Sequence, residues 1–375
     1  MGRYDKDIED LHVRRERILD GKLNCLPLPF QRMRTYFPGV EKRRYQIITA
    51  NQKVGKSKFT DKLMVYEPFF YSIEHPEQVR VSILYFTLEM GKKEKFYEFL
   101  CHLLWRLDKI RISPTELKST SADKPVSREV LDLISSERYQ YYIQKFEETV
   151  EYVDNVKHPT GIYYYCKAFA ERKGEWKYKD GKVKSGDTFV DGKVKDYFEQ
   201  NDSEEYLIVV LDNYSNLSSE NGMNKMQTID KMSKYAIELR DQYNFNFTAI
   251  QHQAQAQEGL ENRKMNQLEP SPDGLADCKT TIRDANCAFG LFSPFKYGIR
   301  QYPDGPIGYD ITKFRNHIRF VKVMENRDGE AGCTAALYFD GAISEFIELP
   351  LPTDTANLEI FYQQVQKLHP ELIKN

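Results

Sequence analysis

A glycine, a lysine and a serine follow a short apolar run near the start of the chain. The stretch ITANQKVGKSKF (48–59) contains Gly55, Lys56 and Ser57. If a strand ends here and a helix opens at this tripeptide, several backbone N–H groups meet at one point, and the helix dipole adds to their attraction for phosphate. Lys56 would reach the β- and γ-phosphates, and Ser57 would bind Mg²⁺. The stretch predicts a site for ATP and Mg²⁺; the alternative is a strand–turn–helix junction with an incidental lysine and serine.

The first position of this loop departs from the general phosphate-binding pattern. A glycine is expected there, and Ala50 takes its place. The glycine serves the curvature of the loop, and alanine can replace it where the local φ is negative. We therefore still expect a nucleotide-binding loop. Its predicted residues are Ala50, Asn51, Gln52, Lys53, Val54, Gly55, Lys56 and Ser57.

Two carboxylates follow later apolar runs. Asp212 comes directly after YLIVVL (206–211), and Glu89 follows the run in ILYFTLEMG. An ATPase with a phosphate loop needs an acidic residue at the end of a second buried strand, as a ligand of the Mg²⁺ shell. Hydrolysis also needs a base that orients the attacking water. Asp212 fits the first role and Glu89 the second. Taken singly, each could instead be a turn residue or a carboxylate at a helix N-terminus.

Alternating strands and helices position these motifs. Strands are predicted at 45–50, within 80–90, at 161–166, 205–213 and 245–250, and in the late segments NCAFGLF, IRFVKVM and TAALYF; those at 45–50, within 80–90 and at 205–213 are predicted to be buried. Helices are predicted at 5–20, 56–68, 92–107, within 128–155, at 224–243 and at about 355–368, with a hairpin at 170–192 and a long polar loop at 251–282. Strands separated by helices predict an α/β fold with a mostly parallel sheet covered on both faces.

The composition is that of an ordinary folded protein. The chain has 375 residues, 41% of them hydrophobic and 29% charged, and a net charge of −2. Contact with nucleic acid would therefore need a local basic patch. No apolar run is long enough for a membrane span, the N-terminus has no signal-peptide core, and the six cysteines form no C-x-x-C pair. These features predict a cytoplasmic protein without membrane contact.

Three of the stretches resemble one known family when they are taken in order. QIITANQKVGKSKF, ILYFTLEMG and EYLIVVLDN are similar to the motifs of the ATPase domain of DnaB-like replicative helicases, a branch of the RecA-like motors. In that family the loop often carries alanine at its first position, as Ala50 does here. The resemblance implies a RecA-like ATPase core in which Glu89 is the catalytic base. It also implies that Asp212 and Ser57 hold Mg²⁺ and its water.

Two further segments match the family at single residues. FTAIQHQAQ places His252, with Gln251 beside it, where the family has a polar sensor of the γ-phosphate. RFVKVMENRDGE is similar to the family's Lys-x-Arg-Asn-Gly stretch, which implies that Arg327 acts on the active site of a neighbouring subunit. Glu325 stands where the lysine is expected. The resemblance thus implies three catalytic residues, Glu89, His252 and Arg327.

The resemblance also implies an organisation and a function. We expect a linker helix and docking segment at 1–40, an ATPase core at 41–350 with an insertion at about 105–200, and a C-terminal helix at 351–375. The protein would be a phage-type member without the N-terminal helical domain. It would be a homo-hexameric DNA helicase that hydrolyses ATP at subunit interfaces and moves on single-stranded DNA in replication. A primase or a helicase loader would be a further partner.

Two other functions are open at this point. The chain could be a RecA-like ATPase switch or accessory protein, such as a loader, a recombinase-like protein or a packaging protein, without unwinding activity. Glu325 also allows a pseudo-ATPase with a structural role. The DNA would contact two polar loops, at 213–227 and 253–267, which hold few cations, among them Lys225 and Arg263. Amide groups can bind phosphates there as well.

Overall fold

The computed structural model describes residues 4–185, 188–265, 267–305 and 307–373, except for the side chains of residues 6, 7, 260 and 264. Its α-helices are α1 (Asp5–Leu19), α2 (Gln31–Arg34), α3 (Lys56–Asp61), α4 (Glu67–Glu74), α5 (Lys92–Asp108), α6 (Pro114–Leu117), α7 (Arg128–Ile134), α8 (Glu137–Thr149), α9 (Pro159–Glu171), α10 (Lys225–Tyr243), α11 (Leu260–Lys264), α12 (Thr281–Asp284), α13 (Ile311–Phe314) and α14 (Thr355–Leu368). A π-helical turn, Lys62–Tyr66, joins α3 to α4.

The β-strands are β1 (Cys25–Pro27), β2 (Gly39–Glu41), β3 (Arg44–Ala50), β4 (Arg80–Thr87), β5 (Val150–Val153), β6 (Gly174–Ser185), β7 (Thr188–Gln200), β8 (Glu205–Asp212), β9 (Asn246–His252), β10 (Cys287–Phe292), β11 (Gln301–Tyr302), β12 (Tyr309–Asp310), β13 (Ile318–Asn326), β14 (Thr334–Asp340) and β15 (Glu345–Glu348). Short 3₁₀ turns lie at Tyr214–Asn216, Gln255–Glu258, Pro272–Gly274, Pro294–Tyr297, Arg315–His317 and Pro370–Leu372.

A nine-stranded sheet, in the order β15-β14-β13-β10-β3-β9-β8-β4-β5, forms the centre of the fold. The strands from β10 to β5 run parallel. The last three strands, β13, β14 and β15, join the sheet antiparallel. The connections from β13 to β14 and from β14 to β15 are too short for the crossover of a dozen or more residues that parallel pairing requires. The predicted α/β fold with a mostly parallel sheet is confirmed.

Both faces of the sheet are covered, as its apolar strands require. Along β8, Ile208 and Val210 pack in one core with residues of α3, α5 and α8. The alternate residues, Leu207, Val209 and Leu211, pack in a second core with residues of α9 and α10. Side chains alternate between the two faces of a strand, so a continuous apolar run is what a doubly covered strand needs. The carboxyl ends of the parallel strands are thereby held at one edge.

Several predicted elements need correction. The segment 161–166 was expected to be a strand, but it lies inside helix α9, which begins with Pro159 and is capped by His158. The buried residues of this helix are Pro159, Ile162, Cys166, Phe169 and Ala170. This helical spacing buries one apolar stripe, and burial outweighs the strand preference of three successive tyrosines. The predicted helical stretch 128–155 ends earlier, at Thr149, and continues as β5.

The other deviations are in length. The helix predicted at 56–68 continues through the π-helical turn and α4 to Glu74. The hairpin predicted at 170–192 is present and longer, since β6 and β7 pair from Gly174–Gln200 to Ser185–Thr188. The polar loop at 251–282 contains short helical turns and α11. Among the described residues, no helix combines the length and apolar character that crossing a membrane requires.

The two ends of the chain are attached differently. Helix α1 is held by ion pairs, Arg14 with Glu41 and Arg17 with Glu204. Its apolar stripe is exposed: Ile8, Leu11, Val13, Ile18 and Leu19. By contrast, α14 and the turn after it pack in a third core against β13 and β14, through Val365 and Leu372. The C-terminal helix is thus part of the sheet's packing, whereas the stripe of α1 faces solvent.

Candidate active site

The predicted phosphate loop connects β3 to α3, as the sequence pattern requires. Ala50 is the last residue of the extended strand β3 and is fully buried. A Cβ atom is therefore tolerated at this position. Gly55 caps α3 with φ at +103°, a left-handed conformation that favours glycine. A Cβ atom there would also lie 3.0 Å from Cζ of Phe339. The loop therefore retains glycine at position 55, where the backbone conformation favours it, and has alanine at position 50, where the backbone is extended.

Lys56 points its ammonium group into the hollow of the loop. Its Nζ atom donates to the carbonyl oxygens of Ala50, at 3.2 Å, and of Asn51, at 3.0 Å. Burial lowers the pKa of Lys56 to about 8, although Asp212 and Glu89 act in the opposite direction. A cation held by neutral carbonyl groups gains from an anionic partner, because charge-assisted hydrogen bonds are the stronger ones. The arrangement is suited to a phosphate.

The carboxyl ends of four neighbouring strands bring the other predicted residues to the same edge. His252 pairs with Ala50 at the ends of β9 and β3. Asp212, at the end of β8, pairs with Thr87 at the end of β4. The Nδ2 atom of Asn213 donates to Oε2 of Glu89 at 2.8 Å, so the carboxylate of Glu89 is oriented from the adjacent strand. The sequence analysis did not identify Asn213.

Several buried polar atoms at this edge have no hydrogen-bond partner. They include Oδ1 of Asn51, Asp212 and Asn213 and Nδ1 of His252. A buried polar group left unpaired costs about 1–3 kcal/mol, so such groups in a native structure require an explanation. Mg²⁺ prefers oxygen ligands and keeps several of its waters. The free, buried carboxylate oxygen of Asp212 fits a water of that ion, as the predicted role requires.

The three polar residues around the end of β9 differ in what they contact. Gln251 donates to the carbonyl oxygens of Ala276 and Cys278. Gln253 donates to Thr49 Oγ1, at 3.1 Å. His252 lies on the opposite face of the strand, and burial followed by the charge of Lys56 lowers its pKa to about 4. His252 is therefore neutral at physiological pH, and its ring is the polar group here that can still take a partner.

A buried ionic network lies behind Asp212. Lys95, on α5, is fully buried, with its Nζ atom 2.8 Å from Asp61 Oδ2 and 3.9 Å from Asp212 Oδ2. Tyr85 also donates to Asp212 Oδ2, at 3.1 Å. Burial alone would lower the pKa of Lys95, but Asp61, Glu98 and Asp212 outweigh it and raise the pKa. Lys95 and Tyr85 thus fix one oxygen of Asp212 and leave the other free.

Arg319, at the start of β13, is a second residue that the sequence analysis missed. It is 1% exposed and lies over the ring of Phe339, at 4.5 Å. Its Nε atom donates to the carbonyl oxygen of Val54, at 2.7 Å, inside the phosphate loop. Its Nη1 atom donates to the backbone carbonyl oxygens of Asn316 and Ile318, both at 2.8 Å, and its Nη2 atom donates to Oδ1 of Asn316, at 3.0 Å. Burial lowers its pKa to about 9. This guanidinium thus holds the backbone of the phosphate loop through the carbonyl group of Val54.

Replacing Arg319 by methionine should weaken ATP binding in a chain that still folds. The change leaves the Val54 carbonyl without its charged donor, and a hydrogen bond to a charged group is worth about 1.5–3 kcal/mol, or roughly 10- to 100-fold in affinity. The unfolding temperature should also fall, because buried carbonyl groups lose their donor, but the chain should still fold, since no carboxylate is left unpaired. Arg128→Met, at a side chain 91% exposed, is the matched control. Parental ATP affinity in Arg319→Met, measured by fluorescence titration, would contradict the assignment.

Arg327 lies at the opposite edge of the sheet. Asn326 pairs with Cys287, which pairs in turn with Gln46, four residues before the end of β3. At about 3.3 Å per residue, the end of β13 is therefore at least about 13 Å from the phosphate loop of the same chain. The side chain of Arg327 is exposed and donates to the carbonyl oxygen of Arg283. Within one subunit Arg327 does not join the other predicted residues.

The phosphate loop contacts the loop that follows β9. Asn51 Nδ2 donates to the hydroxyl of Tyr297, at 2.7 Å, and that hydroxyl donates to Glu258 Oε1, at 2.5 Å. Lys296 Nζ donates to the carbonyl oxygen of Gln52, at 2.9 Å, and forms an ion pair with Glu258. The nucleotide site and one of the two predicted DNA loops therefore share a hydrogen-bonded network.

The two predicted DNA-contacting cations are not equivalent. The ammonium group of Lys225 donates to the carbonyl oxygens of Ser215 and Leu217, at 2.9 and 2.6 Å, and so folds the loop at 213–227 back on α10. Arg263 is exposed and donates to the carbonyl oxygen of Glu258, at 3.1 Å. Lys225 is thus engaged in the structure of its own loop, while Arg263 presents its guanidinium at the surface.

Comparisons with known proteins identify the fold. No protein-family model matches the chain, and no curated protein matches it in sequence. Among solved structures, an ATPase domain of a DnaB-like helicase is similar at a TM-score of 0.66 and 16% identity, covering 93% of this chain and 100% of that one. A DnaB-like replicative helicase, solved in work on its interactions with primase, is similar at a TM-score of 0.62 and 15% identity. This match covers 93% of this chain and 68% of that helicase chain.

Proposed function

We propose that this chain, which has the fold of the ATPase domain of DnaB-like helicases, is an ATP-driven motor that moves on single-stranded DNA. The proposal is carried by one observation. Lys56, Asp212, Glu89 and His252 meet at one edge of the sheet, while Arg327 lies at the other. A ring of identical subunits would bring these two edges together, and a motor of this kind hydrolyses ATP between its subunits.

In this proposal the loop between β3 and α3 binds the nucleotide. Its backbone N–H groups and the ammonium of Lys56 would bind the phosphates, supported from below by Arg319. Ser57 and Asp212 would hold Mg²⁺ and its water, and that ion would neutralise charge that develops on the phosphates. Tyr85 and Lys95 fix one carboxylate oxygen of Asp212 and leave the other free to face the ion's water.

In this proposal Glu89 is the general base of hydrolysis. Its carboxylate is exposed at the end of β4 and is oriented by Asn213, so it can accept a proton from a water beside the γ-phosphate. His252 is neutral and has a free ring nitrogen, which suits a sensor that gains a hydrogen bond to phosphate and loses it after hydrolysis. The hydrogen bonds that join Asn51, Tyr297 and Glu258 would couple the release of the γ-phosphate to the position of the loop after β9.

Assembly and partners follow from the same fold. We infer a homo-hexamer in which Arg327 completes the site of the neighbouring subunit. Residues 1–40 would be the docking segment, with the exposed apolar stripe of α1 as its contact surface. Residues 41–350 would form the motor core, and residues 351–375 the C-terminal helical segment, whose helix α14 packs on that core. Single-stranded DNA would contact the loops at 213–227 and 253–267, and a primase or a loader would be the partner in replication.

An ATPase switch or accessory protein remains the second candidate. The observation that favours it is the small number of cations available in the two loops, since Lys225 already binds carbonyl groups of its own loop. Glu325, exposed where the family has a lysine, also removes one cation from the interface. A switch needs nucleotide binding and does not need strand separation.

The two functions differ in a direct experiment. For a motor, added single-stranded DNA should raise ATP turnover, and a forked duplex should release its shorter strand with ATP and not with a non-hydrolysable analogue. The measurement should be repeated at several salt concentrations, because DNA affinity depends steeply on salt. ATP turnover that ignores DNA at every salt concentration contradicts the motor. Turnover that responds to DNA without strand release supports the switch. The oligomer mass with nucleotide tests the ring.

A further inference from the structure

Three side chains that could bind a metal ion converge at the C-terminal end of the chain, away from the nucleotide site. His317 lies in the 3₁₀ turn before β13, and His369 and Glu371 lie in or beside the turn after α14. The two histidine rings are 3.7 Å apart between centroids. One ligand atom from each of the three residues lies within 4.8 Å of the others. Packing of α14 on β13 and β14 brings these distant positions together.

The outer contacts of both rings leave the inner nitrogens available. Nδ1 of His317 lies 3.1 Å from the carbonyl oxygen of Phe339. A carbonyl only accepts, so this nitrogen carries the proton and Nε2 of the neutral ring keeps a lone pair. Nε2 of His369 lies 2.7 Å from the Tyr338 hydroxyl and 3.5 Å from Asp340 Oδ2. When that nitrogen donates to this pair, Nδ1 of His369 is also free to act as a ligand.

The spacing of the inner atoms suits a tetrahedral ion. Nδ1 of His369 lies 3.2 Å from Glu371 Oε1, and Nε2 of His317 lies 3.8 Å from the same oxygen. Ligand atoms bound at about 2.0–2.1 Å around a tetrahedral zinc ion lie about 3.3–3.4 Å from one another. The two distances to the Glu371 oxygen bracket this value, and one ligand atom of each histidine ring lies within 4.8 Å of the other's. Movements of the exposed carboxylate and of the His317 ring, which lies 3.7 Å from the ring of His369 between centroids, would complete the geometry.

The burial of the three residues matches a site open on one side. The side chain of His369 is fully buried and that of His317 is 17% exposed, whereas that of Glu371 is 63% exposed. Two imidazoles are therefore fixed by their surroundings, and a carboxylate faces solvent, where an ion would enter. The guanidinium of Arg111 neutralises Asp340 from the other side, at 2.5 Å. Metal-binding histidines commonly donate their second nitrogen to a carbonyl or carboxylate in this way.

We propose that His317, His369 and Glu371 form a site for one divalent transition ion of the zinc class, with water in the fourth position. Imidazole nitrogens with one carboxylate suit zinc, copper, nickel or cobalt rather than Mg²⁺. The ion would join the C-terminal turn to the start of β13, two residues before Arg319. Its role would be to stabilise the attachment of α14, and this role is independent of ATP hydrolysis.

Binding of Zn²⁺ alone tests the proposal. The full chain, purified without a histidine tag and stripped with a chelator, should bind one equivalent of Zn²⁺ in calorimetry, and its unfolding temperature should rise in parallel. Co²⁺ should give the visible absorption of tetrahedral nitrogen and oxygen coordination, without the thiolate band that any of the six free cysteines would produce. Mg²⁺ in the buffer keeps Asp212 from contributing.

Two ligand variants and two controls make the test specific. Glu371→Gln should fold normally, because its side chain is largely exposed, and Zn²⁺ affinity should fall at least about tenfold, as should that of His317→Gln. Glu359→Gln, an exposed carboxylate on α14, and His12→Gln, on α1, should bind Zn²⁺ like the parent. No saturable binding by the parent, a thiolate spectrum, or unchanged affinity in both ligand variants would overturn the site.

Discussion

Glu89→Gln should bind ATP as tightly as the parent and hydrolyse it about 10²–10⁴-fold more slowly, which is the usual contribution of a general base. Glutamine keeps the shape of the side chain and can still accept the hydrogen bond that Asn213 donates at 2.8 Å. It cannot take a proton from water. Loss of turnover with retained affinity therefore separates the base from a residue that only supports the site. Single-turnover hydrolysis and ATP affinity are the two measurements.

Two comparison variants sharpen this result. Glu94→Gln changes an exposed carboxylate five residues further on, in the first turn of α5, and should hydrolyse ATP normally. Lys56→Ala should lose ATP binding itself, because this ammonium is the loop's cation for the β- and γ-phosphates. If Glu89→Gln turns over ATP at the parental rate, the base lies elsewhere and the family assignment of Glu89 is wrong.

The site residues that the sequence predicts are those that follow a short apolar run. Lys56, Asp212 and Glu89 each follow an apolar run, and parallel strands bring the ends of such runs to one edge of a sheet. No tertiary information is needed for that inference. His252 follows from the same rule, since β9 ends beside β3. The fold class follows because alternating strands and helices leave few other arrangements.

The residues that support the site could not be found in this way. Arg319 reaches the Val54 carbonyl from a strand 265 positions away, and nothing in its local sequence marks it as buried. Lys95 and Glu98 are charged residues on the buried face of α5, in a half of the helix that is rich in charge. Charged residues three positions apart near the start of an amphipathic helix usually indicate its solvated face, so the ionic partners of Lys95 become visible only in the packed structure.

The wrong prediction at 161–166 has a different cause. Successive aromatic residues favour strands, but strand preference depends on the surface that the side chains meet. Here the second core needs a helix beside α10, and Pro159 can start one, because proline is tolerated in the first turn. Tertiary packing therefore decided a segment whose local preference pointed elsewhere. The proposed metal-binding residues also come together only through tertiary packing, because His317 is more than fifty positions from His369 and Glu371. The sequence therefore did not indicate them.

Arg327→Ala should bind ATP nearly normally and lose hydrolysis by about 10³–10⁵-fold, the range found when such arginines are removed from phosphoryl-transfer enzymes. Arg327 lies at the edge of the sheet opposite its own phosphate loop, so we propose that it acts on the site of a neighbouring subunit. Its exposed guanidinium is not occupied by the adjacent acid, because Asp328 pairs with Arg44. Glu325 replaces the expected lysine, so no second cation from that position compensates the loss.

Mixing the two inactive variants gives the decisive result. In a ring that contains Glu89→Gln and Arg327→Ala subunits, some interfaces combine an intact Glu89 on one side with an intact Arg327 on the other. Those interfaces should hydrolyse ATP, so the mixture should recover part of the activity that each variant lacks. Native mass spectrometry of differently tagged subunits shows whether mixed rings form. If they form and the mixture stays inactive, Arg327 does not act across the interface, and its exposed position at the end of β13 needs another explanation.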